Sequence, residues 1–423
     1  MALKSKYDVV VIGSGPGGVA AALAARQNGA EDVLVIERDV EPGGILLQCI
    51  HNGFGVEVLK KDLPGPAYAE HYIRQAQAAG VDFLLDSMVL EIDAQRRITA
   101  AQRGRLHDLQ ARALVLGMGC RERTRAQVRL PGTRPTGVFT AGTAQRWVNV
   151  EGFMPGKRFV VLGSGDIGMI MARRLTLEGA QVERVLEIMP FLTGLMRNYV
   201  QCLMDYDIPL QLSHTVNRIL GRQRVEAIES VRVDEAWNPI PGSEEVIPCD
   251  TLLLSVGLIP ENELSRKAGV LLDPVTGGPV VDDRFETRVP GIFAAGNVVH
   301  VYDLVDWVTE AGFSAGRSAA KFAVSQRLKE HRHIPLRAGE NIRYVVPHTL
   351  DKERLEQGDI RLQMRVRAPV EAPVWVEVRA GDKLVTRGRE PYVRPGEMVT
   401  LVLPARCYAD VAAAGALQVA ISR

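Results

Sequence analysis

A chain of 423 residues has room for about three domains of ~150 residues each. Its 51 Lys+Arg balance 50 Asp+Glu to a formal charge of +1, which excludes the strong basic field that nucleic-acid binding needs. With 46% hydrophobic and 24% charged residues the composition is that of an ordinary globular protein, and no apolar run approaches the roughly 20 residues that cross a bilayer.

The first element is a β-branched run, Tyr7–Ile12, which reads as a buried parallel strand. It breaks at Gly13-Ser14-Gly15-Pro16-Gly17-Gly18, so it is not the continuous core of a signal peptide. An Ala-rich helix, Val19–Asn28, closes at Gly29, and a second strand runs over Asp32–Ile36 into Glu37. This strand–turn–helix–strand–acid order is a dinucleotide fingerprint. Gly13 permits the tight turn, Gly15 lets the backbone approach a pyrophosphate, and Gly18 lets helix and strand pack closely. The helix N-terminus offers its unpaired N–H groups to phosphate, and Glu37 would accept from the ribose hydroxyls.

The pattern recurs. Arg158–Leu162 leads into Gly163-Ser164-Gly165-Asp166-Ile167-Gly168, a helix over Met169–Glu178 ends at Gly179, and Val182–Glu187 closes the unit. In both copies the first glycine precedes the acid by 24 positions. A lone fingerprint is weak; two complete units at equal spacing predict two dinucleotide sites. No Arg or Lys stands directly after Glu187, and a carboxylate there repels a 2′-phosphate, so the second site favours NADH over NADPH.

Three more segments carry a resemblance: Ala113–Gly119, Asp250–Pro260, and Thr287–Asn297 with its Gly291-Ile292-Phe293-Ala294-Ala295-Gly296-Asn297 ending. Over residues 6–330 the chain resembles the two-dinucleotide-binding-domain flavoproteins, the glutathione-reductase-like superfamily. Gly43–Gly55 and Gly137–Gln145 further resemble the small flavoprotein found beside glycerol-3-phosphate dehydrogenase-like enzymes, and more distantly NADH-oxidase, opine-oxidase and hydrogen-cyanide-synthase subunits. The resemblance implies FAD on Gly13, Ser14, Gly15, Pro16, Gly17, Gly18, Glu37, Arg38, Gly44, Ile45, Gly117, Gly296, Asn297 and Thr309. It implies NAD(H) on Gly163, Gly165, Asp166, Ile167, Gly168 and Glu187. At Asn297 the family usually has Asp; Asn keeps the hydrogen-bonding capacity and loses the charge. A helix opening near Asp306-Trp307-Val308-Thr309 would aim its positive N-terminal end at the flavin pyrimidine.

Disulfide reductases of this superfamily carry two cysteines just after the first acid; here that region has only Cys49, which excludes a two-thiol relay there. Cys49 with His51 nearby is the candidate catalytic pair, weighed against a cysteine packed beside the flavin with no redox role. The five cysteines are scattered, without CxxC or zinc spacing, so no metal is expected and a reducing, cytoplasmic compartment fits. Gly312-Phe313-Ser314-Ala315-Gly316 matches the hydrolase GxSxG pattern, but no strand precedes it. His331-Arg332-His333 reads as a solvated linker, since no further ligands stand nearby.

Beyond about residue 335 the period changes to two. Ile360, Leu362, Met364 and Val366 alternate with polar residues, as do Val374, Val376 and Val378, and then Val399, Leu401 and Leu403. This predicts a small β-sandwich with no evident catalytic groups, open to a partner-docking role; if a partner docks there, removal after about 338 would abolish association and leave flavin reduction by NADH.

The expected architecture is α/β: an FAD-binding domain in two parts (1–120 and 256–335), an NAD-binding domain inserted between them (121–255), and an all-β module (338–423). The expected function is an FAD-dependent oxidoreductase exchanging hydride between NADH and FAD. Electrons would then pass to a substrate-oxidising flavoprotein subunit in a hetero-oligomer or to a small-molecule acceptor. The alternatives are a single-cysteine peroxide or disulfide reductase and a non-catalytic scaffold subunit.

Overall fold

The computed structural model describes residues 3–325 and 333–423. His331 and Arg332 lie outside the described residues. The chain forms two units, residues 1–120 with 260–423, and residues 121–259.

The first unit starts with β1 (Lys6–Ile12), α1 (Pro16–Gln27), β2 (Val33–Ile36), α2 (Gly65–Ala78), β3 (Asp82–Leu84), β4 (Met88–Ile92), β5 (Arg97–Gln102) and β6 (Arg105–Leu116). The apolar runs Val9–Ile12 and Val33–Ile36 are buried on both faces, as parallel strands beneath helices must be. The strand order is β3-β2-β1-β6-β5-β4. The long β6 lies parallel to β1 over Gln110–Leu116, while its first half pairs antiparallel with β5.

The second unit repeats the design. It contains β7 (Val138–Thr140), α3 (Ala141–Asn149), β8 (Arg158–Leu162), α4 (Asp166–Leu177), β9 (Gln181–Glu187), α5 (Met196–Cys202) and β10 (Leu210–Leu212). An antiparallel flap follows, β11 (His214–Leu220), β12 (Ala227–Arg232) and β13 (Glu245–Pro248), before β14 (Thr251–Leu254) returns to the sheet. The parallel order is β10-β9-β8-β14-β7. The apolar residues of β8 and β14 form the centre of this core.

The chain then re-enters the first unit. Here β15 (Ile292–Ala294) pairs parallel with the end of β6, and α6 (Val305–Ser325) packs on α1. The approach is close because both faces are small. A Cβ on Gly312 would lie 2.3 Å from the Gly17 carbonyl oxygen, and one on Gly316 would lie 2.1 Å from that of Ala21. The GxSxG spacing is therefore a helix-packing face and not a nucleophile elbow.

The rest of this unit is a two-layer β module. One sheet orders β18 (Thr349–Asp351), β16 (His333–Ala338), β23 (Leu417–Ser422), β20 (Val374–Ala380) and β21 (Lys383–Glu390). The other orders β17 (Ile342–Val346), β19 (Ile360–Val366) and β22 (Val399–Leu403). The alternating residues Ile360, Leu362, Met364 and Val366 of β19, with Val374, Val376 and Val378 of β20, fill one core, as the period of two requires.

The module is not a free-standing appendage. Val346 lies in the same buried cluster as Val10, Leu34 and Leu114 of the FAD-type sheet. His348 exchanges hydrogen bonds with Val281, from its N–H to the Val281 carbonyl (2.9 Å) and from the Val281 N–H to its Nδ1 (3.2 Å). A fully buried Asp351 receives Arg284 at 2.6 Å. Truncation after about 338 would uncover this shared core and break these bonds, which argues against the nucleotide-binding part surviving it.

Candidate cofactor site

In the first turn, Gly13 has φ +97°, and a Cβ there would sit 2.5 Å from the Gly117 carbonyl oxygen. Gly18 is tighter still, its Cβ position lying 1.9 Å from the oxygen of Gly13. Gly15, the residue before α1, is different: its Cβ would meet nothing within 4 Å. It faces open space at a helix start where no side chain caps the N–H groups and Pro16 stands in the first turn. Open backbone N–H groups at a helix start are of the kind that can receive an anion such as a pyrophosphate.

Glu37 is 6% exposed and held in place. Its Oε2 accepts the Ser14 N–H (2.8 Å) and hydroxyl (2.6 Å), and its Oε1 accepts the Asp39 N–H (2.9 Å). Ser14 Oγ in turn accepts the Gly43 N–H at 3.1 Å. Gly44, at φ +59°, closes over the turn; a Cβ there would lie 3.0 Å from Gly15 Cα. Arg38 and Ile45 are exposed on the rim.

The second unit reproduces this arrangement. Gly163 has φ +101°, and a Cβ there would lie 2.1 Å from the Ser255 carbonyl oxygen. Glu187 Oε2 accepts the Ser164 N–H (2.8 Å) and hydroxyl (2.6 Å), and Oε1 accepts the Met189 N–H (2.9 Å). Thr193 donates its N–H to Ser164 Oγ at 3.1 Å, standing where Gly43 stands in the first copy, and its hydroxyl adds a bond to Glu187 at 2.9 Å. Each of these positions follows its counterpart by 150 residues. Gly165 leads α4, Ile167 is half-buried in its first turn, and Gly168 donates its N–H to Ser255 Oγ at 3.0 Å. Asp166 is spent locally: Oδ1 accepts the Leu195 N–H (2.9 Å) and the Asn198 amide (2.6 Å).

The remaining expected FAD residues converge on the first turn. The gap left by Gly17 admits Val308 at 3.3 Å and the Ala295 carbonyl oxygen at 3.5 Å, which brings the Ala295–Gly296–Asn297 bend and the start of α6 to the dinucleotide turn. Asn297 Oδ1 accepts the Tyr302 N–H (3.1 Å) and its amide faces Cys120 Sγ at 3.7 Å. Thr309 is buried, its hydroxyl 2.8 Å from that of Tyr68. Asp306, in the first turn of α6, accepts the N–H groups of Gly55 (3.2 Å) and Val58 (3.0 Å), so it binds that loop to the helix start.

Cys49 donates to the Ile45 carbonyl at 3.3 Å, and burial pushes its thiol up to about 12. This is the opposite of the environment that makes a reactive thiolate. His51 places Nδ1 2.8 Å from the Asn52 carbonyl oxygen and packs its ring on Phe54. These surroundings favour the alternative of a packed cysteine over a thiolate pair of Cys49 and His51. Among the described residues no cluster suited to a metal ion is present, and no helix is long and apolar enough to cross a membrane.

Sequence reasoning missed Ser164, Met189, Thr193 and Ser255. The signal was available for Ser164, since serine follows the first glycine in both fingerprints; Ser255 lies in the Asp250–Pro260 segment already singled out, but nothing local ties it to a turn 87 residues away.

The family model described as pyridine nucleotide-disulphide oxidoreductase matches residues 7–324. The chain is 26% identical over 317 residues to one of the subunits of opine oxidase from Agrobacterium tumefaciens, covering 70% of this chain and 62% of that protein. It therefore spans less than two thirds of that relative's length. It is 27% identical over 329 residues to thioredoxin reductase of Listeria innocua, covering 77% of this chain and 95% of that one. The solved thioredoxin reductase of T. acidophilum shares the fold with a TM-score of 0.63 at 23% identity, over 76% of this chain and all of that one.

Proposed function

The chain belongs to the pyridine nucleotide-disulphide oxidoreductase family, whose members are FAD-dependent NAD(P)H oxidoreductases, and from that premise we propose that it exchanges hydride between NADH and FAD and then electrons with a second acceptor. The observation that carries this reading is the duplicated cradle: two glycine turns, each with a buried glutamate pinned by the serine that follows the first glycine.

The residues of the first cradle fit FAD. The N–H groups opening α1 would hold its pyrophosphate, and Glu37, oriented by Ser14 and Asp39, would hold the adenosine ribose. Asn297 keeps an amide that can donate to a ribityl hydroxyl. In the second unit Glu187 has the same orientation toward a ribose, and its buried charge opposes a 2′-phosphate; this supports NADH over NADPH. When bound, the flavin supplies the two-electron chemistry, and the protein supplies position and electrostatics.

Cys49 has the wrong environment for a thiol relay, and the sequence has no CxxC pair, so the electrons are read as leaving to a partner flavoprotein or a small acceptor. The opine oxidase relative is by name one subunit of its enzyme, which supports a partner. The test is an anaerobic spectrum of the purified protein. A flavin band that bleaches with NADH, and more slowly with equal NADPH, is expected; a protein that stays colourless after incubation with FAD ends the reading.

A further inference from the structure

Between Asn297 and the start of α6 lies a loop, residues 298–304, without strand or long helix of its own. It joins two elements of the first cradle, because Asn297 precedes it and Val308, against Gly17, follows it. From the cofactor unit, its start is held by the Val299 N–H on the Gly296 carbonyl (2.9 Å), the Asn262 amide on the Val298 carbonyl (2.9 Å) and the Tyr302 N–H on Asn297 Oδ1 (3.1 Å), and its end by the Trp307 N–H on the Leu304 carbonyl (3.2 Å). From outside, the β module holds it at several points.

Arg365, on β19, is the centre of that grip. Its Nη1 donates to the Pro395 carbonyl at 3.1 Å, which fixes the guanidinium to the module. Its Nη2 donates to the Val301 carbonyl at 3.2 Å and faces Asp303 Oδ1 at 3.4 Å. The other Asp303 oxygen accepts the Met398 N–H at 2.7 Å. The two side chains are only 14% and 9% exposed, so this pair is shielded from water and from salt. Tyr344 lies 3.4 Å from His300 Nδ1, and the Arg361 guanidinium stacks 4.3 Å from the ring centre of Trp307, in the first turn of α6. Burial, and next the charge of Arg365, push His300 well below its ordinary pKa, so it is a neutral neighbour of the guanidinium.

We propose that Arg365 is a positioning residue for the FAD cradle: by holding Val301 and Asp303 it sets the loop that carries Asn297 and leads into α6. The module then serves the cofactor site from behind and touches no reacting atom. A planar guanidinium suits this task, since it presents several donors in fixed directions to two carbonyls and a carboxylate. The bonds from the cofactor unit fix the two ends of the loop, and the module's bonds to Val301 and Asp303 fix its middle. The inference rests on the FAD reading given above.

The experiment compares full-length wild type with Arg365→Met, Arg365→Lys and Glu371→Gln, each stripped of flavin and titrated with FAD by fluorescence. Glu371 forms an ion pair with Arg394 on the module and serves as a control in that module. Arg365→Met is expected to weaken FAD binding by about tenfold or more, a measurable change in Kd, with Arg365→Lys intermediate and Glu371→Gln unchanged. The visible spectrum of the flavin bound to Arg365→Met is expected to shift, which general destabilisation would not cause. A folded Arg365→Met with wild-type affinity and spectrum overturns the proposal, as does an equal loss in Glu371→Gln. Should Arg365→Met fail to fold, Arg365→Lys decides alone: weakened binding supports the proposal and wild-type binding overturns it. A wild type that binds no FAD is a separate result, and removes the cofactor reading itself.

Discussion

The two buried glutamates work through donors that hold them in one orientation. Glu187 collects two bonds from Ser164, one from Thr193 and one from Met189. Arginine and alanine both leave those donors without the carboxylate, but arginine also adds a charge of its own, so the simpler change to read is Glu187→Ala. Lost hydrogen bonds to a charged group are worth ~1.5–3 kcal/mol, which predicts a rise of about 10–100-fold in the Kd for NADH with no gain for NADPH. Equilibrium titration with both nucleotides checks this. Cys49 gives a second prediction at this scale. Its thiol is raised from 9.0 to about 12, so the folded state keeps a proton that the unfolded state releases. That contribution opposes folding as pH rises from about 9 to 12, and below 9 it is silent. Cys49→Ser should therefore leave flavin reduction by NADH intact at pH 7–8 and lessen the loss of melting temperature above pH 9. A variant that no longer bleaches with NADH would return Cys49 to the chemistry.

At the scale of elements, the packing of α6 on α1 joins the two parts of the FAD-type unit, and it depends on absent side chains. Gly316→Val would place a Cβ 2.1 Å from the Ala21 carbonyl oxygen, which must move because no flexible side chain is there to yield. Overpacking of this kind costs ~1–3 kcal/mol or more. The expected result is a lower melting temperature together with weaker FAD binding, since α1 follows the turn proposed to hold the pyrophosphate. Ser314→Ala, in the middle of the same GxSxG pattern, should change neither; loss of an esterase activity in that variant would revive the hydrolase reading.

For the molecule as a whole, the junction between the FAD-type sheet and the β module carries buried acids. The Asp283 carboxylate accepts the Asp351 N–H at 2.7 Å, and its other oxygen is buried without a hydrogen-bond partner among the described residues. Burial is the main cause that raises Asp282 to about 8 and Asp283 to about 7; each also feels a neighbouring carboxylate, Asp283 and Asp351 respectively. A carboxyl raised in the folded state binds its proton more tightly there, so the junction loses stability as pH climbs from about 4 to 8. Asp283→Asn keeps the acceptor for Asp351 and removes the charge. It should melt higher than wild type at pH 8, by less at pH 5, and nearly equal to it only below about pH 4. Equal melting temperatures at pH 8 would show that the charge is relieved by another route. The partner reading belongs to this scale too: a stable flavoprotein companion is expected to co-purify from the native cell, and full turnover by a chain that purifies alone would count against it.

The sequence by itself determined the strand–turn–helix units, because glycine at a positive φ and an apolar strand are local requirements that leave local traces. Gly13 and Gly163 could be read in that way, and so could the two-residue period of Ile360–Val366. It also determined Glu37 and Glu187, through their equal spacing from those glycines. Only the tertiary structure decided what each group meets across the fold. The raised thiol of Cys49 is a matter of burial, which no spacing records. Ser255 reaches its turn from 87 residues beyond Gly168, and Arg365 reaches Asp303 from 62 residues away. The period of two marked β19 as a strand and left Arg365 simply as one of its alternating polar residues. Its side chain is buried because the module docks on the cofactor unit, a contact between surfaces distant in the chain that pattern along the chain cannot encode.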